Sequence, residues 1–203
     1  MGVNVLILDG HPDEGRLLNH LLDHYQRSLS ADASVVRINL RDLSFDLNLR
    51  RGYSTDQPWE PDLQRVGEAL AACDHLAVGF PLWWGAEPAL VKGLVDRLLL
   101  PGFAFKYHPE NVWWDGLLAG RSADLIVATD TPNWYLKLVY GDPLGRHLQP
   151  GALQVPQHRG RPLGLGAHRP ETLTRIVLKC KQLQTPPHPH SFLFRPPRTA
   201  SLK

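Results

Sequence analysis

Cysteine and long apolar runs are both scarce in this chain, and each shortage narrows what the protein can be. Its 203 residues include two cysteines, Cys73 and Cys180, which lie far apart and form no metal-binding or redox spacing. No apolar run reaches the roughly 18 residues that a membrane-spanning helix needs, and the N-terminus lacks the basic region of a signal peptide. We therefore expect a cytoplasmic protein without stable membrane insertion.

Neither sign of charge dominates the sequence. The 22 basic and 20 acidic residues give a formal net charge of +2, so composition indicates no nucleic-acid partner. Hydrophobic residues make up 43% of the chain, which is enough to bury a core. A length of 203 residues corresponds to about one domain.

Strand-like and helix-like segments alternate through the first 140 residues. The predicted strands are Val3–Leu8, Ser34–Leu40, Asp74–Phe80 and Ser122–Thr129. The predicted helices are Arg16–Leu29, Asp62–Cys73, a helix begun by Pro88 and a short one through Trp134–Tyr140, with a surface loop over Arg41–Pro61. Short apolar strands between amphipathic helices predict an α/β fold, a parallel sheet doubly wound by helices.

The last quarter of the sequence has a weaker pattern, since nine of the 18 prolines follow Gln149. Pro162–Ala167 is a candidate fifth strand, which its glycines weaken, and Glu171–Leu183 has the spacing of a final helix. Residues 184–203 are proline-rich and basic, without an acidic residue, which predicts a disordered tail. We therefore expect one domain over residues 1–183, with its fifth strand left open.

Three segments are expected at the carboxyl edge of the sheet, where ligands bind in open parallel sheets. The first, Gly10–Arg16, links a strand to a helix whose free N–H groups suit a phosphate. His11 and Arg16 would add charge-assisted bonds. An ordinary strand-to-helix turn, with His11 as a cap or a solvent-exposed residue, is the alternative.

The second and third segments suit a flat heteroaromatic ring. Two adjacent tryptophans, Trp83 and Trp84, follow the third strand; their rings can pack a ligand and their N–H groups can reach its polar atoms. A hydrophobic contact between subunits would also explain them. After the fourth strand, Asp130 or Thr131 is expected to cap a helix begun at Pro132.

The run from Phe80 to Arg97, Phe-Pro-Leu-Trp-Trp-Gly-Ala-Glu-Pro-Ala-Leu-Val-Lys-Gly-Leu-Val-Asp-Arg, resembles the central motif of the flavodoxin-like NAD(P)H:quinone oxidoreductases. That group includes quinone reductase, modulator of drug activity B and the potassium-efflux ancillary proteins. Gly10-His11-Pro12 and Phe103-Ala104-Phe105 match it as well, and the resemblance covers roughly Val3–Tyr140. It implies a flavodoxin-like five-stranded fold and a homodimer with its active site at the subunit interface.

The resemblance also implies a flavoprotein enzyme, an NAD(P)H dehydrogenase (quinone). It would reduce quinones by two electrons in a ping-pong hydride mechanism, with NAD(P)H as donor and FMN or FAD as cofactor. FMN is favoured because no adenine pocket is evident. The implied cofactor-binding residues are His11, Arg16 and Asn19 for the phosphate, Pro81, Leu82, Trp83 and Trp84 under the ring, and Thr129, Asp130 and Thr131 at its other end.

The sequence departs from that family after the fourth strand. Thr129-Asp130-Thr131 stands where well-studied members have Thr-Gly-Gly. Trp134 and Tyr140 stand nearest the tyrosine and histidine that stabilise the reduced flavin, so these two are the candidate catalytic residues. Two alternatives stay open: an ancillary regulatory subunit of a glutathione-gated potassium efflux system, and a flavin-free degenerate member.

Overall fold

The structure, a computed structural model, describes residues 2–110, 114–141 and 173–179. The strands in this part of the chain are β1 (Asn4–Asp9), β2 (Ser34–Asn39), β3 (His75–Pro81), β4 (Phe105–Tyr107), β5 (Trp114–Gly116), β6 (Ser122–Thr129) and β7 (Leu173–Lys179). The α-helices are α1 (Leu17–Ser28), α2 (Pro61–Ala72), α3 (Ala89–Leu98) and α4 (Asn133–Leu138), and a 3₁₀ turn spans Leu40–Asp42.

The main sheet has the strand order β2-β1-β3-β6-β7, and each neighbouring pair is parallel. The chain moves outward from β1 to β2, then returns to the other side of β1 to add β3 and β6. Strand order therefore reverses between β1 and β3, and the carboxyl ends of strands at such a reversal are where open parallel sheets bind ligands. The predicted parallel α/β sheet is confirmed.

Side chains of the central strands are buried on both faces, as expected for a parallel sheet. Val5 and Ile7 of β1 pack in one apolar cluster with Leu18 and Leu22 of α1. The larger cluster on the opposite face contains Leu6 and Leu8 of β1 together with apolar side chains of α2 and α3, namely Leu63, Val66, Leu70, Val91, Leu94 and Leu98. The two layers fix the strand ends that carry the candidate site.

The structure corrects the prediction for the end of the domain. Leu173–Lys179, expected to be part of a final helix, is a strand parallel to β6. Its sequence, Leu-Thr-Arg-Ile-Val-Leu-Lys, contains three β-branched residues, which favour a strand. A short apolar run of this kind fits a helix or a buried strand by periodicity alone. The candidate strand Pro162–Ala167 and the predicted tail, residues 184–203, lie outside the described residues.

A small antiparallel hairpin was not predicted from the sequence. Phe105–Tyr107 pairs with Trp114–Gly116 in a segment where no strand was predicted. Strands of three residues are too short for an alternation pattern to be recognised. Within the described residues, no helix combines the length and the apolar character needed to cross a membrane.

Candidate functional site

The loops after β1, β3 and β6 meet at the carboxyl edge of the sheet. The His11 ring lies edge-on to Trp83, with centroids 6.2 Å apart, so the first loop touches the loop after β3 across the strand-order reversal. The Leu82 N–H donates to the Ala128 carbonyl over 2.8 Å and ties the β3 loop to the end of β6. The predicted segments are therefore brought together in one place.

Asp9 organises the first loop from beneath. Its carboxylate has no solvent exposure, and it accepts hydrogen bonds from the Asn19 amide at 2.8 Å, the Arg37 guanidinium at 3.1 Å and the His11 N–H at 3.1 Å. Three donors compensate the burial of the charge. The network fixes the end of β1 against β2 and the first turn of α1.

Local side chains use most of the loop's own N–H donors. The Asp13 N–H donates to His11 Nδ1 at 3.0 Å, and the Glu14 N–H to Asp13 Oδ1 at 2.8 Å. The Arg16 N–H donates to Asn19 Oδ1 at 2.7 Å. Within the described residues, the N–H groups without a partner are those of Gly15, Leu17 and Leu18 at the start of α1. These donors point to an anion site at the helix start.

His11 and Arg16, the two basic residues predicted to bind the phosphate, also make contacts within the loop itself. Burial lowers the pKa of His11, and because Nδ1 accepts the Asp13 N–H, the neutral ring carries its proton on Nε2. His11 thus offers one neutral donor. Arg16 forms an exposed ion pair with Asp13, with Nε 2.7 Å from Oδ2. Such a pair is weak and can open.

The segment after β3 forms a tight turn over Trp83–Ala86. The Trp83 N–H donates to the Ala86 carbonyl at 2.9 Å, and the Ala86 N–H returns the bond at 3.0 Å. Both central residues have positive φ, 53° at Trp84 and 78° at Gly85, as in a type I′ turn. For a bulky aromatic residue this conformation is strained, and such strain clusters at functional sites.

This turn corrects one expectation about the tryptophans. The backbone N–H of Trp83 is hydrogen-bonded to Ala86 within the turn, so it is not available to a ligand. The N–H groups of Trp84 and Gly85 have no partner among the described residues. The Trp83 side chain is half exposed and the Trp84 side chain is 95% exposed, whereas Pro81 and Leu82 are buried beneath them. The turn therefore presents two aromatic rings and two backbone donors.

The loop after β6 differs from the predicted cap. Pro132 occupies the N-cap position of α4, and no side chain caps the helix, so the expectation for Asp130 and Thr131 is wrong. Thr129 is buried, and its hydroxyl accepts the Thr131 N–H at 3.1 Å. The backbone of Pro132, with φ −59° and ψ 139°, has the extended conformation of an N-cap residue. Asp130 is exposed and Thr131 is partly exposed at the edge of the site.

Aromatic side chains of α4 and the residues after it form a row that meets the β3 turn at Tyr140. The rings of Trp134 and Tyr135 have centroids 5.6 Å apart, and those of Tyr135 and Tyr140 lie at 5.8 Å. Tyr140 packs on Gly85 so closely that an added Cβ would lie 2.6 Å from its Cδ1 atom. The two candidate catalytic residues, Trp134 and Tyr140, are thus joined through Tyr135 beside the Trp83–Ala86 turn.

Two arginines near the end of β2, Arg37 and Arg41, lie at the site although the sequence analysis did not predict them there. Arg37 reaches Asp9, and Arg41 lies with its Nη1 atom 3.4 Å from Asp9 Oδ2 and its Nε atom 3.6 Å from Glu14 Oε1. No motif marks these positions. The available signal was that a basic residue near the end of β2 must lie beside the end of β1, since these strands pair in register.

The family model for the flavodoxin-like fold matches residues 3–153. The chain belongs to this family. Escherichia coli YcaK, named as an NAD(P)H oxidoreductase, is 27% identical over 132 residues, 60% of this chain and 67% of that protein. An FMN-dependent NADH:quinone oxidoreductase of Ruegeria pomeroyi is 32% identical over 76 residues, 37% of this chain and 36% of that protein.

The chain thus spans about one third to two thirds of the length of these relatives. Among solved structures, Smu.1420 of Streptococcus mutans superimposes with a TM-score of 0.64 at 26% identity, covering 86% of this chain and 87% of that one. The flavodoxin-like fold and the family resemblance drawn from the Phe80–Arg97 motif are confirmed. The assignment of individual cofactor-binding and catalytic residues stays a prediction.

Proposed function

We propose that this protein is a flavin-nucleotide-dependent NAD(P)H oxidoreductase that reduces quinones by two electrons. The observation that carries the proposal is the contact of His11 with Trp83 across the strand-order reversal. This contact brings the open N–H groups at the start of α1 close to the exposed tryptophans of the Trp83–Ala86 turn. Open α/β sheets bind nucleotides at such a reversal of strand order. The names of the relatives, which include NADH, FMN and quinone, support it.

The described residues fit a flavin nucleotide at both ends of this site. The open donors at Gly15 and at the start of α1, together with His11 Nε2, suit its phosphate. We propose that the ring rests on Pro81, Leu82, Trp83 and Trp84, with the N–H groups of Trp84 and Gly85 as donors. Thr129, Asp130 and Thr131 would border its far end. FMN is the better match, since the Ruegeria relative is named FMN-dependent.

The protein would contribute to catalysis by positioning the flavin and its substrates and by placing a hydrogen-bond donor near the flavin ring. When bound, the flavin supplies the hydride chemistry. Trp134 and Tyr140 are the proposed catalytic residues, because Tyr140 packs against Gly85 of the β3 turn and Trp134 is joined to it through Tyr135. The Tyr140 hydroxyl would donate a hydrogen bond to charge that develops during reduction. NAD(P)H and the quinone would use the same exposed face in turn, which gives ping-pong kinetics.

A homodimer is part of the proposal. Apolar and aromatic side chains beside the site remain exposed in the single chain, among them Trp84 at 95% and Leu138 at 80%. Exposed patches of this kind mark interaction surfaces. A second copy would cover them and complete the wall of the site. A cytoplasmic location stays a prediction from the sequence.

The deciding measurement is the absorbance spectrum of the purified protein from about 350 to 500 nm, where the cofactor's own chromophore absorbs. Flavin bands that bleach under anaerobic NADH or NADPH, and return on addition of a soluble quinone, would support the proposal. A spectrum that stays featureless after reconstitution with FMN and FAD would refute it and favour the flavin-free alternative. Bands that bleach but do not return with any quinone would favour the regulatory subunit.

A further inference from the structure

The first loop has few means of its own to neutralise a phosphate. His11 is neutral, and Arg16 is paired with Asp13. The loop also carries two acidic side chains, Asp13 and Glu14, beside the open N–H groups of α1. A phosphate dianion at the helix start would meet this negative charge at short range, where Coulomb repulsion is strong. A cation from outside the loop would offset this repulsion without first opening the Arg16–Asp13 pair.

Arg41 reaches the first loop from outside it. It lies in the 3₁₀ turn directly after β2, and only 14% of its side chain is exposed. Its Nε and Nη1 atoms are buried and, within the described residues, make no hydrogen bond. Their nearest anions are Asp9 at 3.4 Å and Glu14 at 3.6 Å, both at the first loop, and exposed Asp42 of the same turn at 3.9 Å, and none of them forms a hydrogen bond with these two atoms. Buried guanidinium donors without a hydrogen bond are costly.

The nearby anions cannot satisfy both donors. Asp9 already accepts bonds from Asn19, Arg37 and the His11 N–H. The Glu14 side chain is 78% exposed and stands at ion-pair distance without hydrogen-bond geometry. The Glu14 carboxylate is therefore only weakly attached to Arg41, and it can move into solvent at little cost in free energy.

We propose that Arg41 binds the phosphate of the flavin nucleotide, and that Glu14 occupies the anion position beside Arg41 until the phosphate displaces it. This inference rests on the proposed function and adds the residue that recognises the cofactor's phosphoryl group. A phosphate carries more charge than a carboxylate and has three acceptor oxygens. In the proposed pose it would accept hydrogen bonds from the Arg41 guanidinium and from the N–H groups at the start of α1.

The test compares ligands that differ in the phosphate. Binding of riboflavin, FMN and FAD is titrated by flavin fluorescence with the full-length apoprotein and with Arg41→Met and Glu14→Gln. Arg65→Met, which removes a largely exposed arginine of α2, is the matched control for loss of one positive charge. Circular dichroism melts report whether each variant is folded. Glu14→Gln is exposed and keeps the test valid if Arg41→Met does not fold.

Arg41→Met should weaken FMN binding by about ten- to a hundred-fold, the size of a charge-assisted bond, and should change riboflavin binding less than about two-fold. Glu14→Gln should tighten FMN binding by roughly two- to five-fold, since an exposed competing pair is weak. A parallel loss for FAD would extend the role to a pyrophosphate, and FAD affinity that Arg41→Met leaves unchanged would confine it to FMN.

Equal losses of riboflavin and FMN in Arg41→Met, or an FMN-to-riboflavin ratio unchanged in Glu14→Gln, would overturn the role of Arg41 while leaving the proposed function intact. A wild-type protein that binds neither flavin would remove both. An effect of Arg65→Met as large as that of Arg41→Met would attribute the result to net charge and refute the assignment.

Discussion

Gly85→Ala tests whether the Trp83–Ala86 turn and the aromatic row form one rigid wall. The substitution introduces a methyl group at φ +78°, a left-handed conformation that costs an L-residue about 1–2 kcal/mol. The new Cβ would also lie 2.6 and 2.8 Å from two atoms of the Tyr140 ring. Since carbon atoms pack at about 3.5–4.0 Å, the ring would have to retreat by roughly 1 Å.

The cost of the contact between the new Cβ and the Tyr140 ring depends on how exposed that ring is. Overpacking in a closed core costs about 1–3 kcal/mol, but this ring is 39% exposed and can move outward, which places the extra cost near about 1 kcal/mol. Gly102→Ala is the matched control, because Gly102 has φ +90° and nothing within 4 Å of an added Cβ. It carries the backbone strain without the contact.

The assay is urea unfolding of both variants in the wild-type and Tyr140→Ala backgrounds. Gly85→Ala should destabilise more than Gly102→Ala, and the excess should disappear when Tyr140 is removed. Flavin affinity should fall in Gly85→Ala and not in Gly102→Ala. An excess that persists without Tyr140 would refute the contact as its cause, and equal losses in both glycine variants would show that the wall is not rigid.

Three further predictions concern other parts of the chain. Arg97→Met removes a fully buried guanidinium that binds Glu60 Oε2 at 2.9 Å and the Pro58 carbonyl at 2.9 Å; the free energy of unfolding should fall by about 3 kcal/mol, and a smaller loss than in Arg65→Met would contradict this. Hydrogen bonds from the Asn48 N–H, the larger cause, and from the Arg50 side chain lower the pKa of Asp46 to about 2. The contribution of Asp46 to the free energy of unfolding should therefore be complete above about pH 4 and decline as the pH approaches 2. Thermal melts of Asp46→Asn at a series of pH values should show a smaller loss of stability in acid than the wild type does. Tyr140→Phe keeps the ring and removes the hydroxyl, so the melting temperature should stay unchanged while the rate of quinone reduction falls at least about tenfold; an unchanged rate would assign Tyr140 a packing role only.

The sheet and its helices were predictable because their apolar patterns are local. The predicted strand Ser122–Thr129 agrees with β6, and the predicted helix Arg16–Leu29 differs from α1 by one residue at each end. The error at Leu173–Lys179 has a physical cause. The apolar residues of Leu-Thr-Arg-Ile-Val-Leu-Lys do not alternate in the two-residue pattern of a half-buried strand, and seven residues are too few for the helical period to be excluded.

The site was predictable where a motif carried it and unpredictable where it depends on hydrogen-bond partners. The tryptophan pair and His11 were found, and the structure places them in contact. The sequence could not show that the Trp83 N–H closes a turn or that Asn19 bonds to buried Asp9. Arg41 has no motif, and its value arises from two donors left open in three dimensions.

The two sides of the site are prepared for a ligand in different ways. On the β3 side, buried Pro81 and Leu82, the strained Trp84 backbone and the packed Tyr140 ring set a fixed shape. On the β1 side, the loop is held by its own carboxylates, which occupy donors and cations that a phosphate would use. Ring binding should therefore respond to changes of shape and little to salt. Phosphate binding should respond to charge, because it exchanges one anion for another in partly screened surroundings. Riboflavin affinity that falls with ionic strength as steeply as FMN affinity would contradict this division.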